Sequence, residues 1–94
     1  MSKSIMQSNK ECYVTGEEYN LHKHHIFGGA NRRLSERYGL WVYLRADYHN
    51  MSNYGVHFDK DFDLRLKSEA QGAAMNKHDW SIEDFIHIFG KNYL

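Results

Sequence analysis

A lone cysteine, Cys12, sets the terms on which this chain can fold. One thiol closes no intrachain disulfide, so 94 residues have to hold together by packing apolar side chains. A chain of this length buries only about 60–65% of its unfolded surface, which leaves room for one core and a narrow margin of stability. The material for that core is present. Hydrophobic residues make up 41% of the chain and aromatics 15%, a composition that excludes a disordered tail. No apolar run approaches the ~20 residues of a membrane span, and Met1 to Lys10 lacks the apolar centre of a signal peptide. A reduced thiol and no membrane segment point to the cytoplasm.

The pattern along the chain predicts an α+β fold. Met1 to Lys10 is polar and aperiodic, and reads as a loose, flexible lead-in to one domain over residues 11–94. Glu11 to Asn20 carries a turn signal at Thr15-Gly16 and reads as a knuckle or tight hairpin. Leu21 to Phe27 predicts a strand, the adjacent glycines Gly28 and Gly29 a loop, and Leu40 to Leu44 a second strand. Ala46 to Met51 predicts a short helix that Asn53 and Gly55 would stop. From Phe58 onward, Phe62, Leu66, Ala70 and Ala73 recur at helical spacing behind Asp59 as N-cap, with Asp61 and Asp63 in the first turns. Ser81 and Asp84 have the spacing of a capping box for a second helix that ends before Gly90 and buries Phe85, Ile88 and Phe89, with Ile82 a further candidate.

Charge is neutral overall but unevenly spread. Between Asn20 and His49, Lys23, Arg32, Arg33, Arg37 and Arg45 stand against Glu36 and Asp47, a net +3 that the rest of the chain cancels. The same third holds four of the seven histidines. A basic zone beside imidazoles suits a polyanion with chemistry done on it, although arginines in a loop can also be simply solvated. Histidine ligates transition metals and serves as a general base near neutral pH. On a strand, His22 and His24 share a face and could meet one ion, while His25 points the other way. Alternatively, one ring of the His24–His25 doublet binds metal while its neighbour, reached through a bend, faces a water. A histidine pair on a strand can equally be structural. His49 after the second strand, and His57 in Gly55-Val56-His57, supply imidazoles that could gather around the same point. His78 and His87 read as surface or packing residues.

These residues carry a family likeness. Leu21-His22-Lys23-His24-His25-Ile26-Phe27-Gly28-Gly29, a loop, Leu40-Trp41-Val42-Tyr43-Leu44 and then Tyr48-His49 resemble the HNH nuclease motif, a ββα-metal finger. From Glu11 to Leu94 the chain is similar to small phage HNH proteins related to the RecA-dependent nucleases, most specifically in HHIFGGANRRLSERYGL, GVHF and IFGKNYL. The resemblance implies a short antiparallel hairpin with a metal-binding finger, followed by two C-terminal helices. It implies that His24 binds a divalent metal and that His25 is the general base. It makes His49 the motif's closing histidine, a ligand or phosphate contact with a part in catalysis, and leaves the last ligand to His57 or Asn53. The implied activity is metal-dependent DNA cleavage in a bacterial host cell, with Mg²⁺, Mn²⁺, Ni²⁺ or Zn²⁺ at the site. Lys23, Arg32, Arg33, Arg37 and Asn31 are the candidate nucleic-acid contacts, and a recombinase or other host protein is a possible partner by analogy.

The chain departs from that family in three ways. Cysteine knuckles that hold a structural zinc in many members correspond to Cys12-Tyr13-Val14-Thr15 and Arg45-Ala46-Asp47-Tyr48, where only Cys12 remains. One thiolate does not complete a four-coordinate closed site, so no structural zinc is expected, and Tyr13, Tyr48 and Trp41 are candidates to fill the space. The motif's middle asparagine is replaced by Gly39-Leu40, with Asn31 in the loop as a substitute. Neutral net charge predicts modest DNA affinity that falls with salt. Two other readings stand beside the nuclease: a decayed scaffold acting as an accessory protein that grips a host protein or nucleic acid, and a small structural protein with incidental histidines.

Overall fold

The computed structural model describes residues 3–50 and 54–94. At its centre β1 (Leu21–His25) pairs antiparallel with β2 (Trp41–Arg45), so that His22 faces Leu44 and His24 faces Val42. Directly opposed residues project to the same face. One face of the hairpin therefore carries His22, His24, Val42 and Leu44, and the other carries Lys23, His25, Trp41 and Tyr43. Val42 and Leu44 are fully buried beneath the helices. Both strands differ slightly from the predicted spans. The pairing nevertheless continues past β1, because Ile26 N–H donates to the Leu40 carbonyl at 3.0 Å.

The connection between the strands was expected to be loop, and most of it is helix. A single 3₁₀ turn over Gly29–Asn31 leads into α1 (Arg32–Tyr38), which ends at Gly39 in the left-handed region, with φ 71°. The apolar signal here is thin, since only Leu34 and Tyr38 repeat at helical spacing. What fastens α1 is polar: buried Ser35 donates its hydroxyl to the Phe27 carbonyl at 2.8 Å and accepts from the Phe27 amide at 2.9 Å.

After β2, α2 (Ala46–His49) forms the short helix that was expected, ending earlier than Met51. α3 (Lys60–His78) and α4 (Ile82–Phe89) complete an α+β arrangement of a hairpin followed by helices, two of them C-terminal. Their caps match the pattern. Asp59 accepts from the Phe62 amide at 3.1 Å, and Ser81 and Asp84 form a reciprocal capping box. The buried stripe of α3 runs Phe62, Leu66, Ala70 and Ala74, not Ala73. Ala73 instead lines a groove with Lys3, Ser4 and Ile5, so a different surface covers it. Phe58 precedes the cap and is 65% exposed, and Ile82, in the first turn of α4, is 38% exposed and lies outside the buried stripe.

The hairpin sits on these helices through Ile26, Phe27, Leu40, Val42 and Leu44, which pack with Phe62, Leu66, Phe85 and Phe89. Phe27 lies at the centre, its ring 4.9 Å from Phe89 and 5.2 Å from Tyr93. Gln71, fully buried, pins the C-terminal segment by donating to Asn92 Oδ1 at 2.8 Å and accepting from the Tyr93 amide at 2.6 Å. Residues 3–10 contain no helix or strand, yet they cover the edge of β2. Ser4 donates to the Trp41 carbonyl, the Ile5 amide donates to the Gly39 carbonyl, and Gln7 accepts from the Tyr43 amide. Edge groups that would otherwise stay open are thereby paired.

Candidate metal centre

Three elements deliver one histidine each to a common point. β1 contributes His24 on the buried face of the hairpin, α2 contributes His49 in its last turn, and the turn before α3 contributes His57. One ring nitrogen from each lies within 4.8 Å of the others, so His24, His49 and His57 could hold a metal ion. The donor chemistry fits: three imidazoles suit a first-row divalent ion better than a hard oxygen-seeking one. His24 supplies a second indication. It is 6% exposed, and its Nε2 is buried with no hydrogen-bond partner among the described residues. A buried imidazole nitrogen left unsatisfied is costly unless something else completes it.

His49 is the hub of this arrangement. Its Nε2 lies 3.0 Å from His57 Nε2, and its Nδ1 lies 3.0 Å from His22 Nδ1. His22 thus meets the far side of the His49 ring and stands behind the cluster, outside the group of three. The turn that carries His57 is held by backbone pairing to α2. The Val56 amide donates to the Tyr48 carbonyl at 2.7 Å, and the His57 amide donates to the His49 carbonyl at 3.2 Å. Gly55 permits that approach, because a Cβ there would sit 2.9 Å from the Asp47 carbonyl oxygen and 3.0 Å from that of His49. Gly55 was read only as a helix stop, and its closeness to α2 had no sequence signal. Asn53, the alternative last ligand, lies outside the described residues.

Burial and crowding favour the neutral form of His24 and His49. His24 is pushed down to about 3, chiefly by burial and then by His49 and His57. His49 is pushed down to about 4 by burial, His57 and His22. Neutral imidazole is the form that ligates metal.

His25 closes β1 on the opposite face of the strand, yet its position at the strand end returns it to the site. A cleft of about 260 Å³ is lined by His24, His25 and His57 together with Asp63 and Lys67 from α3. Asp63 and Lys67 are paired across one helical turn at 2.9 Å. Neither had been singled out for the site, since a charge pair at i,i+4 reads as an ordinary solvated helix face. Burial holds His25 below its usual range, although the nearby Glu36 carboxylate opposes this.

No protein-family model, curated protein or solved structure matches this chain.

Arg32, Arg33 and Arg37 are exposed on α1; Arg32 and Arg33 share a groove with His25, and Arg32 Nε approaches His25 Nδ1 at 3.4 Å. Lys23 is more committed than expected: it donates to Glu36 and lies 4.1 Å from the centre of the Trp41 ring. Asn31 donates its amide to the Phe89 carbonyl at 2.9 Å, tying the interstrand turn to the end of α4. Arg45 belongs to the basic zone in sequence only, since its guanidinium pairs with Glu17 and Asp47.

The two knuckle-like segments do face each other. Cys12 is buried, and its Sγ accepts from the Arg45 amide at 3.3 Å. Burial pushes its thiol up, but hydrogen bonds from the Thr15 side chain and the amides of Arg45, Thr15 and Val14 outweigh this and leave it below its ordinary value. Between the segments lies the Arg45 ion-pair network, with the Arg45 guanidinium 5.2 Å from the Tyr48 ring. Tyr13 is nearby, its hydroxyl donating to Glu69 at 2.7 Å. Trp41 is elsewhere, covered by residues 3–10 and Lys23 on the outer face. Among the described residues, no helix is long and apolar enough to cross a membrane.

Proposed function

We propose that this chain is a metal-dependent endonuclease of the HNH type, of phage or prophage origin, that hydrolyses phosphodiester bonds in DNA. The observation that supports this most is the meeting of His24, His49 and His57 around one point, with His25 sharing a cleft with His24 and His57. Three rings offer a ligand set, and a fourth remains outside it to move a proton. A divalent ion bound there, Mg²⁺, Mn²⁺, Ni²⁺ or Zn²⁺, would stabilise charge on the phosphate and the leaving oxygen.

The chain's own residues supply the remaining work. His25, neutral at pH 7, accepts a proton from water as the water oxygen bonds to phosphorus and the bond to the leaving oxygen breaks. General base catalysis of this kind contributes roughly 10²–10⁴ in rate. Lys67 and Arg32 flank His25 and are placed to bind phosphate oxygens. Arg33 and Arg37 on the exposed side of α1 would follow the backbone without reading sequence.

A second reading, a decayed scaffold that binds a host protein or nucleic acid, draws support from Asn31. Its side chain is committed to the Phe89 carbonyl and serves the fold. Plasmid nicking with Mg²⁺, Mn²⁺ or Ni²⁺ separates the two. The nuclease reading expects nicking by wild type, loss of at least 10²-fold in His25→Ala on the scale of general base catalysis, and unchanged metal affinity. No nicking with any metal would leave the accessory binder.

A further inference from the structure

Helix α1 runs past the end of β1 and sets two side chains, one helical turn apart, against the two nitrogens of the His25 ring. Arg32 Nε approaches Nδ1 at 3.4 Å, and Glu36 Oε2 lies 3.6 Å from Nε2. The second approach is longer than a closed hydrogen bond and acts as an electrostatic contact. Glu36 is itself held in place. Lys23 donates to both of its carboxylate oxygens, at 2.9 and 3.0 Å.

A neutral imidazole has one N–H and one bare lone pair. A guanidinium N–H can only donate, so the nitrogen it approaches is the bare one. A carboxylate can only accept, so the nitrogen it approaches bears the hydrogen. Both neighbours therefore select the same tautomer.

We propose that Glu36 is a positioning residue which, with Arg32, holds His25 as the Nε2–H tautomer in the free protein, and that Nδ1 becomes the proton-accepting atom when Arg32 leaves its lone pair for a phosphate oxygen. The catalytic part of this rests on the nuclease reading above, since only there does Nδ1 have a water to deprotonate. Arg32, Arg33 and Glu36 line an open groove of about 460 Å³ with His25, Gly29 and Ala30, so Nδ1 and the arginines share one surface. Glu36 touches neither water nor phosphate in this scheme. It acts through the ring it orients.

Long-range ¹H–¹⁵N spectra of the full metal-free chain near neutral pH read the tautomer directly, with His25 assigned by the signals lost in His25→Ala. Wild type is expected to show the Nε2–H form and Glu36→Gln a mixture, because an amide can present either a donor or an acceptor. Arg32→Met, at an exposed position, is expected to shift the balance independently of any folding effect of the Glu36 change. In plasmid cleavage, Glu36→Gln should lower kcat roughly tenfold with KM little changed, and Glu36→Asp should recover part of the loss. An Nδ1–H ring in wild type, or a tautomer unmoved by both Glu36→Gln and Arg32→Met, overturns the proposal. If the spectra behave as expected but wild type cuts nothing, the nuclease reading fails while the tautomer clasp stands.

Discussion

His57 Nε2 lies 3.0 Å from His49 Nε2, while Nδ1 of the same His49 ring lies 3.0 Å from His22 Nδ1. One imidazole thus joins the ligand group on one side and a supporting ring on the other. Replacing His49 removes the hub, and replacing His22 removes only its orientation. Calorimetric titration with Mn²⁺, Ni²⁺ or Zn²⁺ should find binding lost in His49→Ala and His24→Ala, and weakened about 10- to 100-fold in His22→Ala. Equal loss in all three would place His22 on the ion, and no loss in any would remove the metal centre.

Gly55 brings the His57 turn against α2. Gly55→Ala would drive a methyl group into the Asp47 and His49 carbonyls, and overpacking of this kind costs typically 1–3 kcal/mol, or about that here. Metal affinity should fall with stability, because His57 moves as the turn moves. A variant that melts early but binds metal as wild type does would separate the turn from the site.

Acid should weaken the metal-free fold through His24. Its folded value is pushed down to about 3, against an ordinary value of 6.5, so the unfolded chain takes up the proton first. Stability is therefore unaffected by this group above pH 6.5 and is lost as pH falls from there toward 3. By pH 4.5 the loss from His24 is about 2–3 kcal/mol. Carboxylates titrate in the same range, so the readout is the difference between wild type and His24→Leu in melts at pH 7 and pH 4.5. Parallel pH dependence in the two proteins would show that His24 does not carry the effect.

Leu66 and Phe85 test the helical core. Leu66→Ala should cost about 2–5 kcal/mol, a large part of the stability of a domain this size. Leu66→Asp and Phe85→Asp should unfold it, because each buries a charge without a partner. Thermal melts that match wild type would mean the stripes face elsewhere.

Much of the backbone was legible because it rests on local rules. Strand character in Leu40 to Leu44, the Asp59 cap and the Ser81–Asp84 box each need only a few neighbouring residues. α1 was missed because it lacks such a signal. Its sequence, RRLSERY, has two apolar residues at helical spacing, and its anchor is the bond from Ser35 to Phe27, eight residues away. The stripe position Ala74 was missed by one residue. Helical spacing alone admits both i+3 and i+4 from Ala70, and only the surfaces packed on either side distinguish them.

The candidate site divides along the same line. Histidine counts and the strand period were enough to single out His24, His25, His49 and His57, and to put His24 and His25 on opposite faces. Nothing in their spacing set the 3.0 Å between His49 and His57, the bond that ties Asn31 to α4, or the contacts of Arg32 and Glu36 with His25. Those distances arise when separate segments pack onto one hairpin, and an imidazole's chemistry depends on what lies within a few ångströms of each nitrogen.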